Sequence, residues 1–428
     1  MNIRFVRMPL SRMSTAVALA LGAGSALGAG FQLNETSASG LGTAYAGGAA
    51  LAEDASTLWS NAAGISRIRE NQMVGAIHLI RPSIKFSNDN STPATLPSLQ
   101  PLGSENGDAG GLNVVPNLYF VAPLGPQWSV GLGLNSPFGL VTEYSDDWMG
   151  RFQAIKSSIQ TINVNPTVAW KPTPRVGLGF GVNYQRIEAE FSNAVPPAAI
   201  GGLNSTSKVE GSDDAWGWNL GVLWELDDNV RVGAHYRSSI DYHITGTVRF
   251  SNAALAAANG DITSDVKLPA ILNLSYFAKL NDRWHWLIDA QWTQWSTIET
   301  LTFTRTNGTL LQSTPENFKD TWKVALGAHY HYNSAWTLRG GIAYDQSPVS
   351  DAYRTPRLPD SDRMWFALGS QYRMGSNLSF DFGAAYIASR TSTIDISGYP
   401  PNSAVYGRLN GHYDSNTWIA SGQVNYSF

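Results

Sequence analysis

The chain has 428 residues, no cysteine, 14% charged residues against 43% hydrophobic ones, and a formal net charge of -4. That charge content is well short of the roughly 25% of a soluble domain, and a mean hydropathy of -0.16 is too polar for a bundle of membrane helices. Acidic residues outnumber basic ones, 33 to 29, which excludes a generally basic nucleic-acid-binding surface, and the lack of cysteine excludes disulfides and thiol chemistry. With 41 Gly, 15 Trp, 17 Tyr and 16 Phe, the class left standing is an all-β transmembrane barrel.

Arg4, Arg7 and Arg12 precede a short apolar core, Thr15 to Leu21, and Ala26-Leu27-Gly28 fits a small-x-small cleavage pattern. Residues 1–28 therefore read as a signal peptide, with an exported chain starting at Ala29. Residues 29–72 are rich in Gly and Ala and show no alternation. They form either a periplasmic tail or a plug packed inside a barrel.

From residue 73 the chain alternates with a period of two. Trp216, Trp218, Leu220, Val222, Trp224 and Leu226 share one face, as do Trp322, Val324, Leu326, Ala328 and Tyr330, and Trp418, Ala420, Gly422, Val424, Tyr426 and Phe428. Aromatics eight residues apart close each apolar face (Trp216 and Trp224, Trp322 and Tyr330, Trp418 and Tyr426). Eight residues of tilted strand cover about 20 Å along a membrane normal, close to the ~25 Å apolar band of an outer-membrane barrel. Strands are expected near 73–86, 113–123, 127–142, 159–171, 176–191, 214–226, 230–250, 263–280, 283–304, 319–333, 335–347, 362–373, 377–391 and 415–428. Six short connections alternate with seven long ones, which puts the long loops outside the cell and both chain ends in the periplasm. The domain expectation is a signal peptide (1–28), a hatch (29–72) and a fourteen-stranded antiparallel barrel (73–428).

Certain stretches carry a more specific likeness. Ala29-Gly-Phe-Gln-Leu-Asn-Glu, Ser39-Gly-Leu-Gly-Thr-Ala-Tyr and Trp59-Ser-Asn-Ala-Ala resemble the N-terminal hatch of the FadL-type long-chain fatty acid transporters. Val115-Pro-Asn, Asn135-Ser-Pro-Phe-Gly-Leu-Val-Thr-Glu, Phe318-Lys-Asp and Ile342-Ala-Tyr-Asp extend the resemblance along the chain. It implies a barrel plugged by a hatch, with Phe31, Leu33, Asn61, Ala62 and Ala63 at the gate, and passive uptake of hydrophobic molecules. It also implies a lateral opening in the third strand, at Asn135, Ser136, Pro137, Phe138 and Gly139. Physics agrees on a break there, since Pro137 has no N–H for the ladder and Gly139 no side chain to pack. The opening is expected to lie beside Asn61-Ala62-Ala63, where the family has a proline in place of Ala62.

Fatty-acid members of the family hold the carboxylate with basic side chains at two places. Approximate alignment puts Glu190 and Ser313 there, leaving Arg186, Lys319 and Lys323, with Phe191, as candidate ligand contacts. The departure keeps neutral aromatic hydrocarbons open as an alternative substrate, and a non-specific porin as a remoter one. His329 and His331 share one strand face but need a third ligand to hold a metal, and lumen-facing polarity explains them equally well; no metal or other cofactor is expected. Asp360, Asp362 and Arg363 read as a solvated loop cluster. No catalytic motif is apparent, so an enzyme is not expected. The expected partners are hydrophobic small molecules, outer-membrane lipid and lipopolysaccharide, and the outer-membrane assembly machinery, with a monomer as the working unit.

Overall fold

The computed structural model describes residues 29–105 and 107–428, so the expected signal peptide lies outside the described residues. Fourteen antiparallel strands close on themselves. The first (Gln72–Asn88) pairs with the second (Asn113–Pro123) on one side and with the last (Leu409–Ser427) on the other, in a register running from Gln72↔Ser427 to Asn88↔Gly411. A closed ladder leaves no edge to be satisfied by lipid, which is what a membrane-spanning sheet requires.

Outward and inward positions alternate as the sequence indicates. Trp216 (66% exposed), Trp224 (51%), Trp322 (44%), Trp418 (60%) and Tyr426 (48%) face out. Lys323, Ala325 and His329, on the opposite face of the tenth strand, are buried. The rings pair across neighbouring strands: Tyr184–Trp216 at 5.0 Å, Trp284–Tyr330 at 4.8 Å, Trp336–Tyr372 at 4.8 Å and Tyr386–Trp418 at 4.7 Å. Such pairs add packing within the outward-facing apolar surface, where amphipathic rings are favoured.

Several strands run further outward than alternation suggests. The sixth begins at Ser205 rather than near 214, and the fourteenth at Leu409 rather than near 415. The expected long loop between the ninth and tenth strands shrinks to a turn at 306–309 between Thr300–Arg305 and Leu310–Pro315. Beyond the bilayer both faces of a strand are wet, so the apolar-polar rhythm fades although the ladder continues. Ser212-Asp213-Asp214 is such a stretch, paired residue by residue with Arg186 to Glu188.

Residues 29–71 fill the barrel with three one-turn helices (Ala38–Leu41, Gly48–Leu51, Thr57–Ser60) and a 3-10 helix (Ala62–Arg67). Hydrogen bonds reach walls all around: Ala38 N–H to Gln423 Oε1 (2.9 Å), Ala49 N–H to Ser275 Oγ (2.9 Å), and Asn117 Nδ2 to the Glu35 carbonyl (2.9 Å). Glycines on the wall permit this approach. A Cβ at Gly233 would stand 1.9 Å from the Ala49 carbonyl oxygen, and one at Gly221 2.0 Å from Asn61 Oδ1. The hatch backbone thus takes the space that side chains would fill in a narrower barrel.

Candidate functional site: an apolar chamber above a broken strand

The third strand is interrupted. It runs as Trp128–Asn135, then resumes as Gly139–Glu143. Pairing with the second strand extends from Pro123↔Ser129 to Leu118↔Leu134 and stops, while the fourth strand continues to pair with both pieces. Among the described residues, Asn113 to Asn117 of the second strand therefore have a ladder partner on one side alone, in the first strand. Pro137 explains the break locally, because it cannot donate to a ladder.

The hatch occupies the break. Leu33 N–H donates to the Pro137 carbonyl and Gly139 N–H to the Phe31 carbonyl, both at 2.8 Å. Thr161 on the fourth strand fixes the other side, accepting from Phe138 N–H (2.9 Å) and donating to the Phe138 carbonyl (2.7 Å). Backbone groups that would face lipid unpaired thereby find partners inside the barrel. Asn61-Ala62-Ala63 lies elsewhere, contrary to the sequence expectation. Asn61 caps the 3-10 helix through Ala63 N–H (3.0 Å) and binds the Val222 carbonyl of the sixth strand (2.9 Å). The segment that meets the break is Phe31 to Leu33, because only there does the hatch run extended beside Phe138.

Above Phe31 lies a cavity of about 80 Å³ with almost wholly apolar walls, among them Ile187, Phe191, Ile244, Ile262 and Phe303. Its floor is an aromatic cluster. Phe31 packs at 4.9 Å from Trp295 and 5.9 Å from Phe138, and Trp295 lies 6.1 Å from Phe318. Gly30 has a positive φ of 62°, and a Cβ there would come within 2.7 Å of the Trp295 ring, so the hatch backbone lies directly on the indole. Phe31 thus belongs at once to the cavity floor and to the strand break.

Two charged residues reach this cavity, Glu316 and Arg357. Glu316 belongs to the irregular stretch that interrupts the tenth strand above Trp322, and Arg357 to the outer loop after the eleventh. Arg357 donates through Nη1 to Ser157 Oγ (3.1 Å) and to the Lys156 carbonyl (3.2 Å). Its loop is held by Thr142 Oγ1 to the Arg357 carbonyl (3.1 Å) and Tyr144 OH to the Pro356 carbonyl (2.8 Å). Burial lowers the guanidinium to about 10, still charged at neutral pH. Burial pushes the Glu316 carboxyl up to about 8, against the pull of Arg357. At neutral pH the chamber therefore offers one cation and one largely neutral carboxyl amid hydrocarbon. That chemistry suits the polar or anionic end of an apolar ligand and the first part of its chain, which is all that about 80 Å³ holds.

Of the four ligand contacts expected from sequence, only Phe191 lines this chamber, with Arg357 5.3 Å above its ring. Arg186 is bound outside it by Glu188 (2.9 Å) and Asp214 (3.1 Å). Lys319 is exposed. Lys323 is buried under the hatch, its ammonium 4.2 Å from the Trp365 ring and 5.2 Å from that of Tyr45. Glu190 pairs with Lys156 (3.2 Å) and Lys208 (3.4 Å), and Ser313 with Thr302 (3.1 Å). The loop cluster also differs from expectation. Asp360 and Arg363 are buried rather than solvated, and Asp360 accepts from Gly30 N–H (2.9 Å) and Ser347 Oγ (2.7 Å), anchoring the hatch tip. Glu316, Arg357 and Trp295 were not singled out by sequence. Glu316 and Arg357 sit in stretches without alternation, Trp295 starts a 3-10 turn inside the stretch expected as one continuous strand at 283–304, and only the chain's return over the barrel mouth brings them together.

Comparison with known proteins places this arrangement. The profile of the family described as "Outer membrane protein transport protein (OMPP1/FadL/TodX)" matches residues 19–428. The long-chain fatty acid transport protein of Escherichia coli (strain K12) is 31% identical over 458 residues, covering 98% of each chain. The 47 kDa outer membrane protein of Pasteurella multocida (strain Pm70) is 34% identical over 430 residues, covering 92% of this chain and 96% of its own. Among solved structures, a Pseudomonas aeruginosa FadL homologue superposes with a TM-score of 0.86 at 25% identity, covering 94% of this chain and all of the other. The Pseudomonas putida toluene transporter TodX shares the fold, with a TM-score of 0.70 at 18% identity over 93% of this chain and 99% of its own. A closed fourteen-stranded barrel, a hatch seated in its lumen and a family match from residue 19 to the last residue together make this chain a member of the outer-membrane FadL-type transport family.

Proposed function

We propose that the protein takes up long-chain fatty acids, or amphiphiles of similar shape, by passive diffusion across the outer membrane. The ligand's carboxylate meets Arg357, with Glu316 donating from its protonated form, and the first part of its chain enters the apolar chamber, which widens as the hatch moves to take the rest. Burying the chain supplies the drive, at about 25 cal/mol per Å² of apolar surface removed from water. Exit follows from displacement of Phe31 to Leu33. Once those residues release Pro137 and Gly139, the chamber floor opens towards the unpaired side of Asn113 to Asn117, and the ligand leaves sideways into the bilayer. No covalent chemistry is needed, so the protein acts as a transporter and not as an enzyme. We propose further that it works as a monomer, set in lipid and lipopolysaccharide by its aromatic-ringed outer face and inserted by the outer-membrane assembly machinery.

The observation that carries this reading is the double role of Phe31, which floors the chamber through its ring and closes the broken strand through its carbonyl. Uptake of neutral hydrocarbons is the second reading, favoured by the near absence of polar wall in the chamber. Uptake of labelled oleate and of toluene by a strain lacking its own transporters, with and without this chain, separates the two. Oleate uptake restored by the wild type and lost with Arg357→Met supports the fatty acid. Toluene uptake alone, indifferent to Arg357, overturns it.

A further inference from the structure

At the opposite end of the barrel a second group of side chains converges, independent of the chamber. Glu53 follows the helix Gly48–Leu51 and is thrown towards the wall by Ala52, whose backbone is left-handed (φ 48°). There it meets His285, next to the turn that opens the ninth strand, and His329, near the end of the tenth. One ligand atom from each of Glu53, His285 and His329 lies within 4.8 Å of the other two. His331 joins them, its Nε2 3.1 Å from His285 Nδ1 and its Nδ1 3.0 Å from Thr337 Oγ1. Two of the chain's seven histidines thus meet one carboxylate of the hatch, and a third, His331, adjoins them through His285.

His329 is fully buried, and neither of its ring nitrogens makes a hydrogen bond; Nδ1 stands 3.4 Å from Glu53 Oε1. A buried imidazole left so is costly unless something else uses it. The other oxygen of Glu53 faces Arg339 Nη2 at 3.3 Å, but Arg339 is itself paired with the buried Asp381, which offsets its repulsion of a cation.

We infer that Glu53, His285, His329 and His331 form a binding site for a divalent transition metal of the zinc class, which ties the hatch to the barrel wall at the periplasmic mouth. Imidazole and carboxylate are the donors such ions take, in tetrahedral sets with bonds of about 2.0–2.2 Å. Those bonds set neighbouring donor atoms roughly 3.3 Å apart. The His285–His331 and His329–Glu53 spacings of 3.1 and 3.4 Å already match, and the two pairs, linked through Glu53, His285 and His329 within 4.8 Å, close on an ion by side-chain rotations of the imidazoles as well as of Glu53. Thr337 orients His331 as an outer partner commonly orients a metal-bound imidazole. Because one donor comes from the hatch and three from the wall, the ion acts as a latch.

The test uses the full-length protein without a histidine tag, stripped with chelator in detergent and titrated with ZnCl2 by calorimetry. One saturable equivalent is expected, weakened at least tenfold by Glu53→Gln and by His285→Ala, and unchanged by His243→Ala, an exposed histidine elsewhere. Zinc should also slow amide hydrogen exchange over residues 48–60. If His329→Ala fails to give the heat-resistant folded gel band, the half-buried His285 decides the question. No saturable zinc binding, or binding unchanged in the folded His285→Ala and Glu53→Gln variants, overturns the site.

Discussion

Replacing Glu316 with glutamine changes the pH dependence of ligand binding more than its strength. Burial pushes the carboxyl up to about 8, so about 90% of it is protonated at pH 7 and about 10% at pH 9. An anionic head beside Arg357 is compatible with the neutral carboxyl and opposed by the ionised one. Since apparent affinity scales with the competent fraction, the Kd of wild-type protein should rise about tenfold between pH 7 and pH 9. A long-chain alkyl sulfonate is the right probe, because its own charge is constant over that range. Binding followed by tryptophan fluorescence, with Trp295 packed behind Phe31 and Phe318 of the chamber wall, reads the effect. Glu316→Gln should bind at pH 7 within about twofold of wild type and show a flat profile to pH 9. An identical profile in both proteins, or a flat wild-type profile, refutes the role given to Glu316. Stability follows the same sign. A carboxyl raised from 4.5 to about 8 stabilises the fold fully below pH 4.5, and that contribution is lost as pH rises through 8. Glu316→Gln should therefore lessen the fall in Tm from pH 6 to pH 9.

Arg357→Met should weaken sulfonate binding by about 1.5–3 kcal/mol, the worth of a charge-assisted hydrogen bond, while leaving the binding of a neutral alkane unchanged in equilibrium dialysis. Phe31→Ala removes the ring packed on Phe138 and Trp295; hydrogen exchange at Leu33 and Gly139 should accelerate, with the barrel still resistant to heat on a gel. Gly233→Leu drives a side chain into the Ala49 carbonyl, so the hatch should unseat and single-channel conductance in planar bilayers should rise well above that of wild type.

Much of the barrel is legible in sequence because a bilayer imposes a simple rule, apolar outward and polar inward at every second residue. Trp216 to Trp224 and Trp322 to Tyr330 obey it, and their outward exposure follows. The rule fails where its physical cause ends. Ser205 to Asp214 stays in the ladder above the membrane, with no apolar face to betray a strand. The break at Ser136 to Phe138 is readable from Pro137 alone, but not which hatch residues fill it. That depends on how a helix-poor segment threads a lumen lined with glycine. The charged pair of the chamber is hidden for a related reason. Glu316 and Arg357 lie 41 positions apart in irregular chain, and nothing periodic links them. Lys323, by contrast, alternates with Trp322 and Val324, and so falls on the lumen face where a ligand contact is expected. The hatch that buries it is not visible in the local pattern.

The lateral route is open to a direct measurement. Gly139→Trp places a bulky ring at the resumed end of the third strand, on the residue whose N–H is held by the Phe31 carbonyl. In cells lacking other transporters, the variant should assemble as a heat-resistant barrel and, once purified, bind the sulfonate with wild-type affinity. Its initial rate of labelled oleate uptake should fall at least tenfold. Wild-type uptake by a folded Gly139→Trp barrel would contradict lateral release at the strand break and direct the exit down through the hatch.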